Sequence, residues 1–280
     1  MSLRERLGPW SRSRLPKPLT FVVELEREET DAVRRRRRRV VAGTSVLGAG
    51  LLGASLSTTP GSSSFYRSTA AVAGVWTIGG LASGPLHLGW IENRDSSLRR
   101  PVLTPAVTGV GAFGVFYGAA LVARRIPVLR DAISGVLRFA DEGDDRLVLA
   151  TTLANGLGEE VFFRGAMYAV LEDRAPVAAS TAVYALATTT TRNPALVLAA
   201  GVMGTLFGLQ RRASGGLQAP VITHLTWSTL MLRFLPPLFA ADARVETRSS
   251  AGSTHRRGRV KHRLPVGSAT PSRGPQAGRR

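Results

Sequence analysis

The stretch GLGEEVFFRGAMY, residues 156–168, decides how this chain is read. It lies within residues 147–171, a run apolar enough to cross a membrane, yet it carries Glu159, Glu160 and Arg164. A charge near the bilayer centre costs roughly 2.5–3.5 kcal/mol on insertion scales, so charges placed there mark a packed or functional interior. On an α-helix, residues four apart share a face, so Glu160 and Arg164 pair along the span and neutralise each other. Glu159 falls about 100° further round the helix, on the face of Asn155 and Phe163, with no local cation. The paired residues read either as a packing lock or as part of a site. The unpaired Glu159 reads as the functional carboxylate, a candidate general base.

Outward from that stretch, the apolar content falls into further runs of membrane-span length. Residues 40–58, 69–90, 101–123, 147–171, 176–191, 195–209 and 217–239 make about seven candidate helices. The fold class expected is all-α, a polytopic transmembrane bundle of about seven to eight helices. The fifth and sixth runs are short and rich in Ala, Thr and Gly, as if surrounded by protein rather than lipid. Residues 124–146 form an interfacial segment, with Ile126, Val128, Leu129, Ile133, Val136, Leu137 and Phe139 on one side of an amphipathic helix. The chain then divides into a basic, partly disordered cytoplasmic segment (1–39), three amino-terminal spans (40–123), the interfacial segment (124–146), a core (147–239) and a basic disordered tail (240–280).

The 280 residues carry a net charge of +18, most of it from Arg. The unbroken block Arg34–Arg39 raises a nucleic-acid reading. It ends where an apolar run begins and holds no interleaved aromatics, which is the pattern of a cytoplasmic flank. The expectation is therefore a multi-pass protein of the cell membrane with its amino terminus in the cytoplasm, partnered by the lipid bilayer and not by nucleic acid. Seven spans would then put the carboxyl tail outside, whereas Arg256, Arg257, Arg259, Lys261 and Arg263 favour the inside. Either one run is re-entrant, or the short fifth and sixth runs are not both spans. The absence of cysteine excludes disulfides, thiolate chemistry and Cys-based metal sites.

The other polar feature in an apolar run is THLTWS, where His224 and Ser228 are one turn apart. Unsatisfied polar groups are expensive in lipid, so an intramembrane His is expected to be partnered or functional. His87, after Pro85, lies near the end of its run, and His255 and His262 belong to the tail.

EEVFFR, Glu159 to Arg164, resembles the EExxxR signature of the CPBP intramembrane protease family, which includes the CaaX prenyl endopeptidases and bacterial Abi-type proteins. The resemblance covers roughly residues 147–239. It implies that Glu159 acts on a nucleophilic water, with Glu160 and Arg164 as the second glutamate and the arginine of the motif. A second family motif, FxxxH, falls on YALAT, so Tyr184 stands for the aromatic residue and Thr188 for the histidine. A third, HxxxN, falls on HLTWS, so His224 matches and Ser228 replaces the asparagine that would support an oxyanion. Thr188 cannot take a proton from water near neutral pH, which leaves Glu159 as sole base.

The catalytic set implied is thus Glu159, Glu160, Arg164, Thr188, His224 and Ser228. A divalent metal such as zinc would find Glu159, His224 and Glu160 as donors, a His-poor set for a catalytic zinc that usually takes three protein ligands. The implied activity is a membrane-embedded endopeptidase acting on a membrane-associated peptide or protein. The alternative is a catalytically impaired scaffold or binding protein of the same fold, favoured by Thr188 and Ser228. A transporter would also place carboxylates in the membrane, but no inverted repeat is seen.

Overall fold

The computed structural model describes residues 29–92, 97–172 and 174–258, with the side chains of Glu92 and residues 240–258 excepted. Most of the expectation for residues 1–39 and those for His255 and His262 fall outside that description. Two units are distinguished, Met1–Phe239 and Ala240–Arg280.

The described chain is almost wholly helical. The helices are α1 (Asp31–Ser55), α2 (Ser63–Ala82), α3 (Leu103–Ala123), α4 (Pro127–Asp141), α5 (Asp145–Glu159), α6 (Tyr168–Val170), α7 (Pro176–Thr188), α8 (Pro194–Ser214) and α9 (Gln218–Gly258). A π-helix, Glu160–Met167, links α5 to α6 without a break, and a 3-10 turn, Thr189–Thr191, follows α7. Their boundaries follow local chemistry. Ser62 caps α2 through Phe65 N–H, Asp144 caps α5 through Arg146 and Leu147, and Asn193 caps α8 ahead of Pro194. Each cap side chain accepts from backbone donors that the first turn leaves unpaired.

Two strands, β1 (Ile91–Glu92) and β2 (Leu98–Arg99), form a small antiparallel hairpin. The second apolar run, read as helical to residue 90, stops being helical at Ala82. Beyond it the backbone is extended and pairs with the α8–α9 connection. Trp90 N–H donates to Ser214 at 2.8 Å, while Leu217 and Gln218 donate to His87 and Leu88 at 2.9 Å each. Gly84 and Gly89, both at positive φ, and Pro85 account for the change. His87 therefore stands on this extended strap and not on a span.

One correction concerns span length. Residues 195–209 were expected to be short, yet α8 has 21 residues, because Gln210–Ser214 continue the helix while buried. By contrast α7 has 13 residues, about 20 Å at the usual rise, against a hydrocarbon thickness of about 30 Å. Only α3 and α8, among the described helices, are long and apolar enough to cross a membrane by themselves. In α1 the first half is taken by Arg34–Arg39, and the fourth apolar run changes helix type in its middle.

The principal core packs Val41 of α1, Val72 and Trp76 of α2, Phe162, Phe163, Ala166 and Met167 of the π-helix, and Ala187 of α7. A second cluster joins Ala120 of α3 and Leu137 of α4 to Leu235 and Phe239 of α9. So α4 does present an apolar face, and that face is partly covered by protein. Close approaches set the first core. Gly158 leaves no room between α5 and α2, where an added Cβ would lie 2.8 Å from Ala73 O and 3.2 Å from Trp76 Cβ. Gly80 does the same for α2 and the π-helix, where an added Cβ would lie 2.6 Å from Val161 Cγ1 and 2.9 Å from its carbonyl.

Gly80 and Gly74 offer a paired test on one helix. Gly80→Ala is expected to lower stability by about 1–3 kcal/mol through overpacking. Gly74→Ala meets nothing within 4 Å, and is expected to gain about 0.5–1 kcal/mol from helix propensity. Thermal unfolding of the detergent-solubilised variants measures both, and equal shifts would contradict this packing.

Candidate active site

The site is built on the π-helix. A continuous α-helix through residues 156–168 was the expectation, but Glu160–Met167 take the wider winding and Tyr168 N–H reaches back to Phe163 O. Such insertions are uncommon and cluster at functional sites. All eight residues of the segment are buried. Its backbone is buttressed by Arg211 of α8, whose Nε donates to Arg164 O at 2.8 Å.

The two adjacent glutamates go to different partners. Glu160 is fully buried and meets two groups with one oxygen, since its Oε1 lies 3.3 Å from Arg164 Nη1 and 2.9 Å from His224 Nδ1. The Glu160–Arg164 pairing expected from sequence is thus present, one turn apart on the chain. It is an ion pair without hydrogen-bond geometry, because none of the three guanidinium nitrogens has a hydrogen-bond partner among the described residues. Aromatic faces hold the cation instead. Its Cζ stands 4.7 Å from the Tyr184 ring centroid and 5.2 Å from that of Phe207, distances at which the ring quadrupole attracts it. Phe207 in turn stacks on His224, 4.7 Å between centroids and 21° between planes.

Glu159 is only half-buried. Its Oε2 accepts a hydrogen bond of 2.6 Å from the Tyr184 hydroxyl. The imidazole of His224 hydrogen-bonds Glu160, and Glu159 also lies within its electrostatic reach. With its Nδ1 turned to Glu160, the ring presents Nε2 on its opposite edge. Gly156, the first residue of the quoted stretch, lies beside that edge, where an added Cβ would make ordinary contact with Nε2 at 3.5 Å.

Thr188 is buried and gives its hydroxyl proton to Tyr184 O at 2.8 Å, a bond within its own helix. Ser228 is buried one turn beyond His224 on α9. Sequence reading named Tyr184 only as an aromatic; its hydroxyl was the missed group, and the signal was a phenol one turn before Thr188. Phe207 was also missed, being indistinguishable from core in sequence.

A metal ion does not suit these donors. Glu160 Oε1 is shared by a guanidinium and an imidazole, and Glu159 Oε2 accepts from a phenol. No three His, Asp or Glu side chains converge as a ligand set among the described residues, whereas a catalytic zinc needs about three.

Residues 146–230 match the family model of the type II CAAX prenyl endopeptidase, Rce1-like. The core of the chain is Rce1-like. The match supports the CPBP and CaaX protease family for this segment, which contains all six candidate residues. No curated protein and no solved structure matches the chain.

The buried charges of the Rce1-like core carry a stability consequence. Arg164→Met leaves Glu160 buried without its guanidinium and is expected to cost about 3–5 kcal/mol. Adding Glu160→Leu removes the uncompensated charge and is expected to recover part of that loss. Denaturant unfolding of single and double variants checks it, and strictly additive losses would contradict the pairing.

Proposed function

We propose that the chain is a multi-pass membrane endopeptidase that hydrolyses a peptide bond of a membrane-associated substrate with a water activated by Glu159. One observation carries this reading. Within the Rce1-like segment, a half-buried carboxylate stands beside a fully buried Arg–Glu–His cluster, so one glutamate is left accessible while its neighbour is consumed in structure.

In the proposed reaction Glu159 accepts a proton from water as the oxygen attacks the scissile carbonyl. The tetrahedral oxyanion is met by the Nε2–H of His224 in its imidazolium form, whose Nδ1–H is held by Glu160 and whose ring is backed by Phe207. The proton held on Glu159 passes to the leaving amine as the C–N bond breaks, giving a carboxylate and a free amine. Burial of the Arg164–Glu160 pair strengthens these electrostatics, because a water-poor site screens charge weakly.

A bilayer setting is supported by exposed apolar side chains along several helices: Val46 of α1 at 78 %, Ile78 of α2 at 69 %, Val115 of α3 at 71 % and Leu198 of α8 at 62 %. In water such a distribution would be an aggregation liability. In lipid it is the ordinary outer surface of a bundle. The Arg34–Arg39 block at the start of α1 supports a cytoplasmic amino terminus.

A second reading, a non-catalytic scaffold of the same fold, is favoured by Thr188, whose hydroxyl is committed to its own helix and supplies no base. Cleavage separates the two. Full-length protein in liposomes, offered a library of prenylated and transmembrane peptides, is expected to release new amino termini. Glu159→Ala is expected to abolish release, and His224→Ala to lower kcat by about 10²–10³-fold as for the loss of an oxyanion donor. Equal cleavage by wild type and Glu159→Ala would overturn the peptidase reading.

A further inference from the structure

The 2.6 Å hydrogen bond from Tyr184 to Glu159 is a contact that the active-site reading above does not use. Glu159 begins the motif at the last residue of α5, where α-helical winding gives way to the π-helix. A carboxylate there has several rotamers available, and while the charges of His224 and Arg164 act on it, its directional contact is the hydrogen bond from the Tyr184 hydroxyl. Glu160, by contrast, is gripped from two sides by Arg164 and His224.

Tyr184 is itself well fixed. Its ring packs on Phe163, 4.7 Å between centroids, and lies under the Arg164 guanidinium. Its backbone carbonyl accepts from Thr188. The phenol therefore reaches Glu159 from a rigid base on α7, and a cation over its ring makes the O–H a better donor. Charge-assisted bonds of this kind are shorter and about twice as strong as neutral ones.

We propose that Tyr184 is a positioning residue for Glu159: its hydroxyl binds Oε2 and so turns Oε1 toward the site as the oxygen that holds water. The assignment deepens the peptidase reading and rests on it for its catalytic meaning, but the bond itself is testable without turnover. It also gives position 188 its own explanation. Thr188 steadies the turn that carries Tyr184 through the backbone and has no need to act on water.

The test uses full-length protein in liposomes and dicyclohexylcarbodiimide, a lipid-soluble reagent that modifies carboxyl groups, with adducts counted at Glu159 and Glu160 by peptide mass spectrometry. Y184F keeps the ring against Phe163 and Arg164 while removing the donor. Glu159 modification is expected to rise about tenfold, the worth of one charge-assisted hydrogen bond. Glu160, held by other partners, is the internal reference and should not change. A rise at both glutamates, or at neither, overturns the assignment. In the cleavage assay the same variant is expected to lose kcat with KM unchanged, a split that a merely structural tyrosine would not give. Full activity in both Y184F and Glu159→Ala would sink the peptidase reading, while the labelling result would still decide the Tyr184–Glu159 bond.

Discussion

The ion pair between Arg164 and Glu160, sealed inside the protein and shared with His224, is the constraint on which the rest depends. A buried charge costs several kcal/mol unless it is compensated, so the three groups must arrive together or the fold fails. That requirement ties three distant parts of the chain to one point. The π-helix supplies the carboxylate and the guanidinium, α9 supplies the imidazole, and α8 supplies Phe207, stacked on that imidazole. Glycines at 80 and 158 let α2 come close enough to close the remaining side.

The wider winding of residues 160–167 follows from the same demand. Glu160 and Arg164 have to meet one another while Phe162 and Phe163 both turn into the core around Trp76, at 4.8 and 5.0 Å between ring centroids. A π-segment brings more side chains to one buried surface than an α-turn does. The resulting backbone is held by Arg211, a cation spent on a carbonyl. Two adjacent acids then leave the segment in different directions. One is locked inside, and the other sits at the border with a phenol for a partner.

Much of this was legible in the sequence, and the reasons for the rest are physical. Charges inside an apolar run announced the cluster, and spacing of four announced the Glu160–Arg164 pair. The EExxxR pattern announced the family resemblance that residues 146–230 carry. Spacing could not say which glutamate the imidazole of His224 would choose, because that depends on how α9 packs against the π-helix. The π-winding was invisible for a related reason: local propensity for EVFFRGAM is compatible with an ordinary α-helix, and tertiary packing overrode it. Hydropathy misjudged the strap at His87–Trp90 because apolar composition reads alike in a helix and in an extended segment. It shortened α8 because Gln210, Arg211 and Ser214 are polar yet buried.

The account stands on a division of labour between neighbouring carboxylates, and unfolding of Glu159→Gln beside Glu160→Gln measures that division most directly. Glu159→Gln is expected to unfold within about 1 kcal/mol of wild type, since the group is half-buried and the amide keeps an oxygen that accepts from Tyr184. Glu160→Gln, which strips the buried guanidinium of its counter-charge, is expected to lose about 3–5 kcal/mol. Equal losses, or a greater loss at position 159, would contradict the account.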